Sequence, residues 1–238
     1  MSGHSKWSTI KHKKAIQDAK RANAFTKLAN MISVAAREGG GDLDTNFKLK
    51  MIIEKARSAN MPKDNIERAI KRGTGELKDG EEIKEIFYEA YGPGQIAMLI
   101  KTATDNTNRT VGDIRHILTK SGGKMVSKGS VSFLFKKVGE IVITISNVNI
   151  EELEMQAIDA GADDIKLEGD LLFVYTKPED LQKIKEKLES GGVKINNAEL
   201  SFVADQQSNP TENEKRKYEE LLRKLDENDD VVDIYDNS

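Results

Sequence analysis

Lys6, Lys11, Lys13, Lys14, Lys20 and Arg21 surround Trp7 and His12 near the start of a chain of 238 residues. Cations of this kind neutralise phosphates and release their condensed counterions, and an indole ring stacks on an unpaired base. Lys27 extends the group, and residues 1–37 hold eight Lys and Arg against one acidic residue. A second basic group, Lys63, Arg68, Lys71 and Arg72, is interleaved with Ile66, Ala69 and Ile70 at helical spacing. Behind another helix, this is the outline of a helix-turn-helix whose second helix enters a groove; a charged, solvated face is the alternative. A third candidate is TDNTNRT (104–110), where Asn108 and Arg109 suit RNA or a protein surface, and where Thr107 or Asn108 is also placed to cap a following helix. The fourth is the segment SGGKMVSKGS (121–130), read as a mobile loop offering Lys124 and Lys128 to phosphates.

Other chemistry finds little support. His116 stands on a helix near Asp113, without the clustered carboxylates or paired histidine that a nuclease needs. No nucleotide-cradling glycine motif is present, so neither an enzyme nor a cofactor is expected. The chain has no cysteine, which excludes disulfides and thiolate zinc sites, and His4, His12 and His116 lack ligand spacing. No apolar run approaches the roughly 20 residues of a membrane span. A cytoplasmic protein with no membrane partner is the expectation.

The net charge of −3 conceals an asymmetry: residues 1–75 carry sixteen Lys and Arg against seven Asp and Glu, and the remainder twenty-one against thirty-three. The acidic remainder repels phosphates, keeping nucleic acid at the basic end and leaving other surfaces for proteins.

These side chains need elements to hold them. Residues 1–20 read as a basic, flexible arm. Ala24, Phe25, Leu28, Met31, Ile32 and Ala35 recur every three or four positions, predicting a helix from about 10 to 38 that the three glycines at 39–41 end. A second helix is predicted over 45–58 and a third after Pro62, giving a helical domain over 21–76. Strands 86–91 and 95–102 flank Gly92-Pro93-Gly94 as a hairpin, followed by a helix over 110–120 and a strand over 131–136. Segments 140–145, 150–160, 164–167, 171–176, 178–190 and 194–203 then alternate as βαββαβ, the ferredoxin-like order. A helix over 211–228 and a strand over 231–235 remain. They predict an α+β multidomain chain: the helical domain, a middle α/β domain from 80–137 plus 205–238, and a ferredoxin-like domain, 138–204, inserted in it.

The strings SGHSKW (2–7), IKHKKAIQDAKR (10–21), AREGGGD (36–42) and KARSANMPKDNIERAIKRGTG (55–75) resemble the YebC/PmpR family. So do YEAYGPG (88–94), TDNTNRT, IRHIL (114–118), SGG (121–123) and GSVSFLF (129–135). Leu43 and Phe47 stand where that family often carries proline, Ala90 where it carries glycine, and Phe133 where it carries tryptophan. Because the motif starts at residue 2, no transit peptide is expected. The resemblance implies three domains and a DNA-binding transcriptional regulator. A second reading, from relatives that include the mitochondrial translational activator of cytochrome oxidase subunit I, is an RNA-binding translation factor that acts at the ribosome, on ribosomal RNA. A protein-interaction adaptor is a third.

Overall fold

Apolar residues spaced for one helical face assemble the N-terminal helices. The computed structural model describes residues 21–77, 81–145 and 149–238. Helix α1 (Arg21–Gly39) buries Leu28, Ile32, Ala35 and Ala36 against Leu49, Ile52, Ile53 and Ala56 of α2 (Phe47–Ser58), and against Ile66 and Ala69 of α3 (Lys63–Gly73). Helix α2 starts two residues later than predicted because Asn46 caps it, accepting from the Leu49 N–H at 3.0 Å. The same amide donates to the carbonyls of Ala35 and Gly40, which closes the end of α1. Helices α1 and α3 meet closely: Ser33 Oγ donates to the Ala69 carbonyl at 2.8 Å, and a Cβ on Gly73 would collide with the Ser33 carbonyl oxygen.

The first sheet has the order β3 (Lys124–Val126), β1 (Lys84–Tyr91), β2 (Ala97–Thr104), β8 (Val231–Asp236). Strands β1 and β2 form the predicted antiparallel hairpin, whose turn needs the positive φ of Gly94. Helices α4 (Thr107–Lys120) and α7 (Glu212–Asp226) cover one face. Ile114, Leu118, Tyr218, Leu221 and Leu225 pack there on Ala90, Met98, Ile100 and Ile234. Val34 of α1 packs with Ile83, Ala103 and Val232, and Asn30 donates to the Ala103 carbonyl, so the helices and this sheet share a core. Strand β8 (Val231–Asp236) pairs with β2 across more than a hundred residues of sequence.

The described chain forms two compact units, one of residues up to 135 with 203–238 and the other of 136–202. The second contains β4 (Phe135–Thr144), α5 (Ile150–Ala160), β5 (Asp164–Glu168), β6 (Leu171–Thr176), α6 (Leu181–Ser190) and β7 (Asn197–Ala204). Its sheet order, β5-β6-β4-β7, places β6 antiparallel between β4 and β5, the split βαβ arrangement that the sequence predicted as an insertion.

Two predictions fail around residues 121–136. The segment read as a mobile loop contains β3 (Lys124–Val126), paired with β1 at the sheet edge. The strand predicted over 131–136 is instead a turn of 3-10 helix, Ser132–Leu134, and β4 begins only at Phe135. The reason is a carboxylate: Glu89 takes the N–H groups of Gly129, Val131 and Ser132, bending backbone that alternation alone would have extended.

Candidate nucleic-acid interface

Lys6, Trp7, Lys11, His12, Lys13, Lys14 and Lys20 lie outside the described residues. Arg21 opens α1. Six residues on, Lys27 is not available to a phosphate: its ammonium sits 3.0 Å from the Asp226 carboxylate of α7, with 14% of the side chain exposed. It also donates to the Asp226 carbonyl. Arg37 is bound likewise, to Glu82 at 2.9 Å, and Lys48 to Glu38 at 2.8 Å. For Lys48, burial favours the neutral amine, but Glu38 and Glu85 outweigh it and raise its pKa above the ordinary lysine value.

Helix α3 presents the opposite arrangement. Ile66 and Ala69 hold one face to the core, and Lys63, Arg68 and Lys71 are exposed on the other. Lys63 makes one loose contact, 3.5 Å to Glu67, an exposed pair worth a fraction of a kcal/mol. Arg68 and Lys71 form no ion pair among the described residues. Arg72 turns back: it donates to the Glu81 carbonyl at 3.1 Å and lies 3.7 Å from Asp105. The helix thus offers three outward cations where the sequence suggested four.

The TDNTNRT segment buries its two ends, Thr104 and Thr110, and leaves residues 105–109 exposed. Asn106, and neither Thr107 nor Asn108, caps α4, accepting from the Arg109 N–H at 3.0 Å. The helix therefore starts three residues before its predicted position at 110, and Asn108 is an exposed residue of its first turn. Arg109 lies 3.0 Å from both oxygens of Asp230, the residue before β8, and 3.3 Å from Asp105. The bond to Asp230 and the charge of that carboxylate raise the Arg109 pKa further above its ordinary value. Thr110 and Thr104, both buried, are 2.8 Å apart, and the Thr110 hydroxyl donates to Asp230 at 2.7 Å. This is a structural joint, and Arg109 is engaged in it.

The 121–134 segment is different again. Glu89 is only 5% exposed, and burial by itself would raise its carboxyl pKa. Three backbone N–H donors at 2.6–3.1 Å reverse that and hold the pKa below the ordinary glutamate value. The backbone is pinned while side chains stay outside. Lys128 is exposed, and Lys124 is exposed on β3 with its ammonium 5.8 Å from the Tyr91 ring centre. Phe133 is 71% exposed. Sequence reading missed Glu89, Asp230 and Asn106. Only Asn106 left a local signal, as a capping residue type two positions after a strand.

Among the described residues, no group of three His, Asp or Glu side chains is placed to hold a metal, and no helix is long and apolar enough to cross a membrane.

Comparison with known proteins places these features. The family model for the N-terminal domain of TACO1/YebC proteins matches residues 5–76, and that for the second and third domains matches residues 83–238. A "probable transcriptional regulatory protein" of Pseudothermotoga lettingae is 49% identical over 238 residues, all of this chain and 93% of that one. One of Acidithiobacillus ferrooxidans with the same description is 48% identical over 237 residues, covering 100% of this chain and 94% of that one. The crystal structure of a conserved hypothetical protein, Aq1575, from Aquifex aeolicus superposes with a TM-score of 0.87. It is 42% identical, over 92% of this chain and 90% of that one. Matched over its whole length by the two curated relatives, and over residues 5–76 and 83–238 by the family models, the chain belongs to the TACO1/YebC family.

Proposed function

We propose that the protein is a non-enzymatic, cytoplasmic regulator of gene expression that holds nucleic acid through phosphate contacts. These come from the basic segment 1–21 and from Lys63, Arg68 and Lys71 on α3. The observation that carries the reading is where positive charge is concentrated. Residues 1–21 hold six cations against one acidic residue, and α3 turns Arg68 and Lys71 outward. The inserted unit, 136–202, holds eight cations against fourteen acidic residues. Such a distribution orients a polyanion before contact and keeps it away from the acidic unit. Relatives named as transcriptional regulators support DNA as the ligand.

The test is fluorescence anisotropy with labelled duplex and single-stranded probes over a range of salt. Log affinity is expected to fall linearly with log salt, by about 0.9 for each duplex phosphate neutralised. Deleting residues 1–21 should weaken binding to every probe. Affinity independent of salt, or untouched by the deletion, would refute the reading. Cross-linking in cells followed by sequencing of bound DNA and RNA then separates promoter sites from ribosomal RNA.

A further inference from the structure

Phe133 is turned into solvent by a backbone that leaves it little freedom to turn elsewhere. Its neighbours at alternate positions, Val131 and Phe135, are 0% and 9% exposed, whereas Phe133 is 71% exposed. The Glu89 carboxylate grips the N–H groups of Gly129, Val131 and Ser132; the Leu134 N–H bonds to the Val131 carbonyl; and the Leu134 carbonyl accepts from Asp205 at 3.1 Å. A large apolar ring is thus displayed on a fixed turn, and little conformational freedom remains to be lost when something lies against it. The same segment carries Lys128 one residue before the gripped Gly129, and Lys124 at the sheet edge. One flat ring in the same short segment as exposed cations is the pairing by which single-strand binders stack a base and hold its backbone.

We propose that Phe133 is a stacking platform for an unpaired base, with Lys124 and Lys128 taking the adjoining phosphates. The proposal rests on the nucleic-acid reading above and goes beyond it by specifying the ligand of this face as single-stranded. In a duplex both faces of each internal base are already stacked, so the ring has nothing to cover there.

The experiment compares the intact chain with Phe133→Ala and Phe133→Trp, by anisotropy with a labelled 20-nucleotide RNA and with the same RNA annealed to its complement. Phe133 is exposed, so both variants should keep the parent's melting temperature. Phe133→Ala is expected to weaken single-strand binding by roughly tenfold, within the range found for single stacking residues, and to leave duplex binding unchanged. Phe133→Trp, which keeps a stacking ring, should restore the single-strand affinity. Parent-like single-strand binding by Phe133→Ala, or an equal loss on the duplex, would overturn the platform while leaving the nucleic-acid reading intact. Failure of the parent to bind either RNA probe would overturn the platform, and failure on DNA probes of the same sequence as well would overturn both.

Discussion

Residues 104–110 and 121–134 both carry a nucleic-acid-binding reading in the sequence, through Arg109 in one and Lys124 and Lys128 in the other, yet the fold uses them in opposite senses. In the first, side chains are tied to the fold: the half-exposed Arg109 and the buried Thr110 bond Asp230, buried Thr104 bonds Thr110, and together they join the start of α4 to the start of β8. In the second, one inward side chain, Glu89, takes hold of backbone, and the segment's own Lys124, Lys128 and Phe133 remain outside. A hydrogen-bonding side chain can build a joint or meet a ligand, and composition does not distinguish these uses. What decides is whether a complementary group has been folded against it. The comparison makes a sharp forecast: damage to the first segment should appear in stability, and damage to the outward side chains of the second in binding.

The largest effect should come from Asp230→Ala. It removes a buried carboxylate from the Arg109 guanidinium and from the buried Thr110 hydroxyl, and a hydrogen bond to a charged group contributes about 1.5–3 kcal/mol. Arg109 is 49% exposed and recovers hydration, so a total loss of about 3 kcal/mol is expected in urea unfolding. Affinity for nucleic acid, measured on the folded fraction, should be unchanged. A stable Asp230→Ala protein that binds poorly would invert the assignment of this segment.

Glu89→Gln should follow, at about 1–3 kcal/mol, because an amide offers one carbonyl oxygen where two carboxylate oxygens now receive three N–H donors. The pKa gives an independent handle. Folding lowers the Glu89 pKa, so its contribution is fully present above the unfolded glutamate value of about 4.3 and is lost as pH falls through the lower folded value. The stability difference between the parent and Glu89→Gln should therefore be constant from pH 7 to about 5 and shrink towards pH 3. A difference that grows on acidification would mean that the carboxylate is not the group holding the turn.

Much of the architecture was legible because it follows from periodicity. Helix α5 and strand β6 lie where the pattern placed them, and the apolar faces of α1 and α2 are those that the three-and-four spacing marked. What escaped was decided by partners distant in sequence. Glu89 reads as an ordinary polar residue of a strand, and nothing near it announces Gly129, Val131 and Ser132 forty residues on. The strand predicted over 131–136 would have set Val131, Phe133 and Phe135 on one face; the 3-10 turn breaks the two-residue period and leaves the middle ring exposed. Of the candidate cations, Lys27, Arg72 and Arg109 found acceptors elsewhere in the chain, and Lys63, Arg68, Lys71 and Lys128 stayed exposed.

That division among the cations gives the smallest and most discriminating prediction. Lys128→Ala and Lys27→Ala each remove one positive charge, so a simple net-charge effect would weaken binding equally. If contact decides, they differ. Lys128→Ala should lower the salt slope by about 0.7–0.9, as expected for one phosphate contact, and leave stability within about 0.5 kcal/mol. Lys27→Ala should leave the slope unchanged, because the ammonium is already neutralised by Asp226 at 3.0 Å, and should lower stability modestly. Arg68→Ala and Lys71→Ala should behave like Lys128→Ala, Arg72→Ala like Lys27→Ala. Equal slopes for all five variants would show that binding senses the charge of the whole molecule, and the inward and outward distinction would then govern stability alone.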